Sequence, residues 1–235
     1  MSEQKVADAL AEAAVANVKS GMTVGLGAGT TAARGVRLLA DLVREGKLDV
    51  KCVCASDATE DTAKQLGLDV IEFCLVEELD VLIDGADEID RNLNVMKGSR
   101  GAMARERMLA WACRHTVFMV GDNKVSEQIG VKSSLAVAVM AFGLASTRAA
   151  IRRLGLNGVC RRKMNGDLFL TDNGNLVLDV SLRGDENLPE LSAALNDIPG
   201  VVDHGLFLSE ADEILIESER GAVERLLRSS VTADA

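Results

Sequence analysis

Short apolar runs alternate along the first half of the chain with longer segments whose apolar residues recur at helical spacing. The runs predict strands at 22–26, 50–55, 70–71, 79–83 and 116–120. The segments between them predict helices at 3–19, 31–45, 58–66 and 102–113. Apart from Asp80, the run at 79–83 is apolar, which is typical of a strand covered on both faces. This alternation predicts βαβ units and an α/β fold with a mostly parallel, doubly wound sheet.

The pattern changes after about residue 130, where turn signals become frequent. Further strands are predicted at 135–140 and near 201, and further helices at 146–154 and 189–196. Ser146 or Thr147 is the predicted N-cap of the first of these helices. Glycine-containing turns at 157–158, 165–167 and 172–174 are hairpin markers. We therefore predict two units: a smaller α+β domain at 131–203, inserted into a main domain formed by 1–130 and 204–235. The apolar stretch 214–216 is expected to return to the first sheet.

Composition narrows the possible chemistry. The 235 residues include 26 Lys and Arg, 36 Asp and Glu and 2 His, with a formal net charge of -10, and the aromatic residues are 5 Phe and 1 Trp. The negative charge and the lack of rings argue against nucleic-acid binding, which needs cations for phosphates and rings for bases. Scarce His argues against zinc sites built on several His and against His-dependent hydrolases. We therefore expect Asp, Glu or Lys to carry any acid–base chemistry.

The N-terminal stretch is polar and lacks the apolar region of a signal peptide. The longest apolar run, at 135–144, is about half as long as a membrane-spanning helix. The 5 Cys form no CxxC pattern, which favours reduced thiols. We predict a cytoplasmic protein without a membrane partner.

A glycine-rich loop at 25–31 follows a predicted strand and opens a helix. Gly27 and Gly29 allow close backbone approach to an anion, and Thr30 and Thr31 add hydroxyl groups at a helix N-terminus. A phosphate site is expected here. Two alternatives stay open at this point: a plain tight turn, and a dinucleotide site, because Gly27-x-Gly29-x-x-Ala32 fits the loose GxGxxG/A form, with the ribose carboxylate supplied by Asp49 or Asp57.

An acidic loop at 84–90 follows the buried strand at 79–83. Ligands bind at the carboxyl ends of parallel strands, so Asp84 is expected to face a crevice. Close carboxylates repel each other, which raises pKa values and suits proton transfer. A loose divalent-metal site and a merely solvated acidic loop are the alternatives.

A third loop, at 97–102, carries Lys97 and leads into the helix that holds Glu106. A first-turn Glu is common for helix-dipole reasons alone. Together with Asp84 and Asp87, however, this pair supplies a carboxylate base and a cation for a developing oxyanion, which proton abstraction next to a carbonyl requires. Aldose–ketose isomerisation of a sugar phosphate by a metal-free cis-enediol route needs only these parts.

At these loops the sequence resembles ribose-5-phosphate isomerase of the A type. The resemblance runs from about residue 5 to 220 without large gaps. Its most specific part is the DGADE segment at 84–88 with the KG…RE pattern of 97–106. The matching stretches are 24–31, 55–59, 83–88, 96–106, 121–124, 171–175 and 198–202.

The resemblance implies that Glu106 is the general base that moves a proton between C1 and C2. It implies that Asp84 and Asp87 contact the sugar hydroxyls and assist ring opening, and that Lys97 is the cation beside the reacting oxygens. It further implies a Rossmann-like main domain, a homo-oligomer (dimer or tetramer), no metal or other cofactor, and a place in the pentose phosphate pathway. The residues it implies for substrate and phosphate binding are Gly27, Ala28, Gly29, Thr30, Thr31, Ser56, Gly98, Ser99, Arg100 and Lys124.

The sequence departs from the family pattern at three places. Ala28 stands where a Thr is usual, Ala7 where a Lys is usual (Lys5 lies on another helical face), and Ser99-Arg100 where two Gly are usual. A lost ionic phosphate contact costs about 1.5–3 kcal/mol. Arg100 either replaces such a contact, because Arg binds phosphate well, or marks a changed substrate.

Three other functions follow as hypotheses. One is an isomerase for a different sugar phosphate or an acidic sugar. The others are a non-catalytic sugar-phosphate sensor and a dinucleotide-dependent enzyme.

Overall fold

The computed structural model describes residues 8–228. Lys5, Ala7 and the first residues of the helix predicted at 3–19 lie outside this range. The strands, in chain order, are β1 (Thr23–Leu26), β2 (Lys51–Cys54), β3 (Asp69–Val70), β4 (Val81–Gly85), β5 (Glu88–Ile89), β6 (Val95–Met96), β7 (Thr116–Gly121), β8 (Leu135–Val139), β9 (Gly158–Cys160), β10 (Leu176–Val180), β11 (Val201–His204), β12 (Leu206–Phe207), β13 (Glu213–Glu217) and β14 (Val223–Leu227). The α-helices are α1 (Ala9–Val15), α2 (Ala32–Arg44), α3 (Asp57–Gln65), α4 (Met103–Trp111), α5 (Leu144–Arg153) and α6 (Leu188–Asn196).

Seven strands form the main sheet, in the order β14-β13-β7-β4-β1-β2-β3. All neighbours are parallel except β13 and β14, which form an antiparallel pair at the edge. The C-terminal return is confirmed, because β13 runs parallel to β7 with Glu213 opposite Val117. The predicted α/β fold with a mostly parallel sheet is thereby confirmed.

Helices cover both faces of this sheet. On one face, Leu10 of α1 and Leu39 of α2 pack with Ile83 of β4. On the other face, Leu109 of α4 packs with Leu82, also of β4. All five residues of β4 are buried, as the apolar residues 81–83 predict, and the buried set includes Asp84. Because β1 and β4 are parallel neighbours, their carboxyl ends lie at the same edge of the sheet.

A second, antiparallel sheet has the order β11-β8-β10-β9 and packs its apolar face against α5 and α6 through Ile151 and Leu191. A three-stranded sheet, β12-β6-β5, lies between the two cores. The predicted boundaries at 131 and 203 stay a prediction. None of the helices within residues 8–228 is long and apolar enough to cross a membrane.

Two local predictions for the second half are wrong. Helix α5 begins at Leu144 with Gly143 as its N-cap, so neither Ser146 nor Thr147 caps it. The Ser146 hydroxyl donates to Gly143 O, and the Thr147 hydroxyl donates to Pro199 O. Neither hydroxyl is therefore used to cap a backbone amide. The turn signal at 157–158 is not a hairpin: Gly158 opens β9 after α5, where an added Cβ would lie 3.1 Å from Leu178 Cβ.

Candidate active site

The glycine-rich loop after β1 lies directly against the end of β4. The Gly27 amide donates to Ile83 O (2.9 Å), and the Ala28 amide donates to Asp84 Oδ1 (3.1 Å). A Cβ added at Gly27 would lie 1.9 Å from Asp84 Oδ1. Only glycine fits at position 27, because the Asp84 carboxylate occupies the space that any side chain there would need.

We expect Gly27→Ala to lower the melting temperature by several degrees and to abolish activity, since the methyl group must displace the buried Asp84. Thermal unfolding followed by circular dichroism measures the effect. The matched control is Gly143→Ala, where the nearest atom to the new methyl group is Ser146 Oγ at 3.4 Å. An unchanged melting temperature in Gly27→Ala would contradict the close packing of these two residues.

The same loop presents the N-terminus of α2 to a cavity. Gly29 has a φ of +106°, a conformation that favours glycine, and its carbonyl accepts from Ala33 N (3.0 Å). Thr31 is the N-cap of α2 and makes no side-chain capping hydrogen bond. Thr30 and Thr31 both line the cavity. The positive end of the helix and two hydroxyl groups thus face a space that suits an anion.

A buried ion cluster forms one side of this site. Lys97 Nζ lies 2.8 Å from Asp84 Oδ2 and 3.2 Å from Glu106 Oε1, and it donates to Gly85 O. The side chains of these three charged residues are at most 4% exposed. They come from the end of β4, the segment after β6 and the first turn of α4, so the fold brings them together from separate elements.

Burial sets the proton affinity of the cluster. Loss of solvent raises the pKa of Glu106 to about 8, and the neighbouring carboxylates add to this effect while Lys97 opposes it. Burial likewise raises the pKa of Asp84. Burial alone would lower the pKa of Lys97, but the charges of Asp84 and Glu106 raise it above its ordinary value. Lys97 is therefore a fixed cation beside a carboxyl group that gains and loses a proton near neutral pH.

Asp87 lies apart from this cluster and is held by Ser99. The Ser99 amide donates to Asp87 Oδ2 (2.8 Å), and the Ser99 hydroxyl donates to Asp87 Oδ1. Asp87 is half-buried and lines the same cavity as Glu106. One of the departures from the family pattern thus orients a carboxylate of the site.

Most predicted site residues surround a single cavity of about 160 Å³. Gly27 and Ser56 line instead an adjoining cavity of about 610 Å³. Asp84 is fully buried against Lys97 and lines neither cavity, so the expectation that it faces the crevice is wrong. Ser56 Oγ accepts from Thr59 N (3.1 Å) as the N-cap of α3. The smaller cavity is lined by Ala28, Gly29, Thr30, Thr31, Gly85, Ala86, Asp87, Lys97, Gly98, Ser99, Arg100, Glu106 and Lys124.

The acidic loop is not a solvated surface loop, because Asp84, Glu88 and Asp90 are buried. Sequence reasoning missed the role of Glu88, whose carboxylate accepts the backbone amides of residues 130–133. A loose metal site finds no support here, since Asp84 faces Lys97, Asp87 faces Ser99 and Glu88 faces amides. Glu88 thus ties the acidic loop to residues 130–133.

The carboxylates proposed for a dinucleotide site are poorly placed for that role. Asp57 is paired with Arg105 Nη1 (2.6 Å). Asp49 precedes β2, whereas the glycine-rich loop follows β1, and these parallel strands put the two at opposite ends of the sheet. The loop therefore fits a phosphate better than a dinucleotide.

The chain matches known proteins over most of its length. A family model described as ribose 5-phosphate isomerase A (phosphoriboisomerase A) matches residues 51–221. A ribose-5-phosphate isomerase A from Sinorhizobium fredii is 41% identical over 217 residues, 90% of this chain and 93% of that protein. The structure of ribose 5-phosphate isomerase A from Methanocaldococcus jannaschii has a TM-score of 0.87 and 30% identity, covering 93% of this chain and 96% of that one. A D-ribose-5-phosphate isomerase in complex with phospho-erythronic acid has a TM-score of 0.90 and 26% identity, covering 97% of this chain and 100% of that one.

Proposed function

The chain belongs to the ribose 5-phosphate isomerase A family, and from this premise we propose that it interconverts ribose 5-phosphate and ribulose 5-phosphate. The observation that carries the proposal is the buried contact of Lys97 with Asp84 and Glu106 at the wall of the cavity. A base and a cation in one water-poor site are what proton transfer next to a carbonyl requires.

In the proposed mechanism, the Glu106 carboxylate removes the proton from C2 of the open-chain aldose and returns it to C1, while the proton of the C2 hydroxyl moves to the C1 oxygen, which becomes the C1 hydroxyl of the ketose. The Lys97 ammonium stabilises the negative charge that develops on the oxygen of the cis-enediolate. Asp84 keeps Lys97 charged and oriented. During ring opening, Asp87 takes the proton of the C1 hydroxyl and passes it to the ring oxygen as the bond between C1 and that oxygen breaks. A pKa of about 8 suits Glu106 for this role, because a base with a pKa near the working pH both takes up and releases the proton.

The phosphate group is proposed to bind at the loop of Ala28–Thr31, with Arg100 and Lys124 as the cations that line the same cavity. The side chain of Arg100 lies over the loop, since a Cβ added at Gly29 would be 3.4 Å from Arg100 Nε. This position supports Arg100 as the phosphate contact in this chain. No contact in the cavity favours an acidic sugar over a sugar phosphate.

An assay of ketose formation tests the proposal. Among aldose phosphates, ribose 5-phosphate is expected to have by far the highest kcat/KM, and excess EDTA is expected to leave the rate unchanged because Lys97 supplies the positive charge. A higher kcat/KM for another aldose phosphate would support the alternative substrate. Tight binding of ribose 5-phosphate without turnover would support a sensor.

A homo-oligomeric state and a cytoplasmic location remain proposals beside this function. So does a place in the pentose phosphate pathway, which would follow from the proposed substrate and product. The oligomeric state can be measured by analytical ultracentrifugation.

A further inference from the structure

A second cavity adjoins the catalytic one on the far side of the glycine-rich loop. It has a volume of about 610 Å³ and lies between α2 and α3. The two cavities share Ala28, Gly29, Thr30 and Arg100, but Glu106 and Lys97 line only the smaller one. The larger cavity is therefore a neighbour of the catalytic centre and not part of it.

Two arginines give this cavity a positive charge in a protein whose net charge is -10. Arg37 and Arg100 both line it, both are exposed, and within residues 8–228 neither forms an ion pair. The acidic residue on its wall, Asp172, is already engaged: it accepts the Asp57 amide (3.0 Å) and lies 3.7 Å from Arg105 Nη1. No carboxylate of the described residues holds either guanidinium group, so both can bind an anion, and a doubly charged phosphate suits them best.

The hydroxyl groups on the opposite wall have their protons committed elsewhere. The Thr59 hydroxyl donates to Gly27 O (3.1 Å), and the Thr62 hydroxyl donates to Ala58 O (2.8 Å). Ser56 Oγ accepts the Thr59 amide, and it is the donor in its contact with Thr59 Oγ1 (2.9 Å), because the Thr59 proton is already given to Gly27 O. These oxygens offer lone pairs, and a ligand that meets them must bring its own hydrogen-bond donors.

We propose that the larger cavity is a second binding site, for a phosphate ester that carries hydroxyl groups. The phosphate binds between Arg37 and Arg100, and the ligand hydroxyls donate to Ser56, Thr59 and Thr62. Because Arg100 lines both cavities, a ligand in this site competes with the substrate phosphate for that guanidinium. The site needs no isomerase turnover, although it shares Arg100 with the phosphate contact of the proposed function.

Isothermal titration with glycerol 3-phosphate tests the proposal. The wild type is expected to bind two molecules per chain, one in each cavity, and the second more weakly than the first because both phosphates need Arg100. Arg37→Gln should weaken binding in the larger cavity by about tenfold or more, which is the expected effect of losing a charge-assisted contact. The same variant should leave the kcat and KM of isomerisation unchanged. Arg220→Gln removes an exposed arginine that lines neither cavity, and it should titrate like the wild type.

Lys124→Gln separates this proposal from the proposed function, since Lys124 lines only the catalytic cavity. That variant is expected to weaken the other binding event. Identical titrations of Arg37→Gln and Arg220→Gln, or no binding by the wild type, would overturn the second site. Loss of the Arg37-dependent event with no effect of Lys124→Gln would leave the second site standing and count against ligand binding in the catalytic cavity.

Discussion

Replacing Glu106 with Gln is expected to lower kcat for ribose 5-phosphate isomerisation by about 10²- to 10⁴-fold, the usual contribution of a general base. The amide keeps the size of the carboxyl group but cannot take up the C2 proton. KM should change little, because Lys97 and the glycine-rich loop keep their positions. Steady-state assay of ribulose 5-phosphate formation measures the effect, and a rate near that of the wild type would remove Glu106 from the mechanism.

The fold of this variant is expected to survive, for an electrostatic reason. Burial raises the pKa of Glu106 to about 8, well above the ordinary range of a Glu side chain. When folding raises the pKa of a carboxyl group, the native state loses stability as the pH rises from the pKa in the unfolded chain to the pKa in the folded protein. The neutral Gln side chain avoids that loss, so the free energy of unfolding of Glu106→Gln should equal or exceed that of the wild type at pH 8. Denaturant unfolding at pH 6 and pH 8 tests this expectation.

The pH profile of the wild type follows from the same carboxyl group. Proton abstraction needs ionised Glu106, so kcat/KM should rise with pH toward a pKa of about 8. Glu78→Gln is the matched control, because Glu78 forms only an exposed pair with Arg114 and should leave both rate and profile unchanged. A wild-type profile that is flat between pH 6 and pH 9 would contradict the assignment of Glu106.

The sequence predicts the parts of this site better than their contacts. The loop at Gly27 and the acidic loop at Asp84 are predictable because glycines and charges directly follow apolar strands, and parallel strands end at one edge of the sheet. The contact of Lys97 with Asp84 and Glu106 is not encoded in local spacing, since the three residues belong to different elements. Only the packing of α4 and of the segment after β6 against β4 brings them together.

Competition between hydrogen-bond partners explains other differences. Ser99 stands at a place where the family pattern has Gly, and its sequence position gives no sign that it holds the Asp87 carboxylate. Thr147 has the chemistry of an N-cap, but its hydroxyl donates to Pro199 O instead of capping the helix.

Arg37 lies on the exposed face of an amphipathic helix, where a sequence alone does not distinguish a cavity wall from open solvent.

Replacing Lys97 with Met is expected to have the largest combined effect on stability and activity. The change leaves Asp84 and Glu106 buried side by side without a cation, and breaking a buried ion pair in this way costs about 3–5 kcal/mol. Activity should be lost as well, because the enediolate has no counter-charge. The matched control is Lys64→Met, which breaks an exposed pair with Glu60 and is expected to cost less than about 1 kcal/mol.

The sign of the pH dependence distinguishes this electrostatic effect from lost packing. Lys97 opposes the rise in the pKa values of both carboxyl groups, so its removal must raise them further. A carboxyl group whose pKa is raised by folding destabilises the native state once it loses its proton. The loss in free energy of unfolding caused by Lys97→Met should therefore shrink as the pH falls from 8 toward 5. A deficit of equal size at both pH values would identify a packing defect. Asp84→Asn in the Lys97→Met background supplies the final check: it removes one of the two buried carboxyl groups left without a cation and should restore part of the lost stability at pH 8.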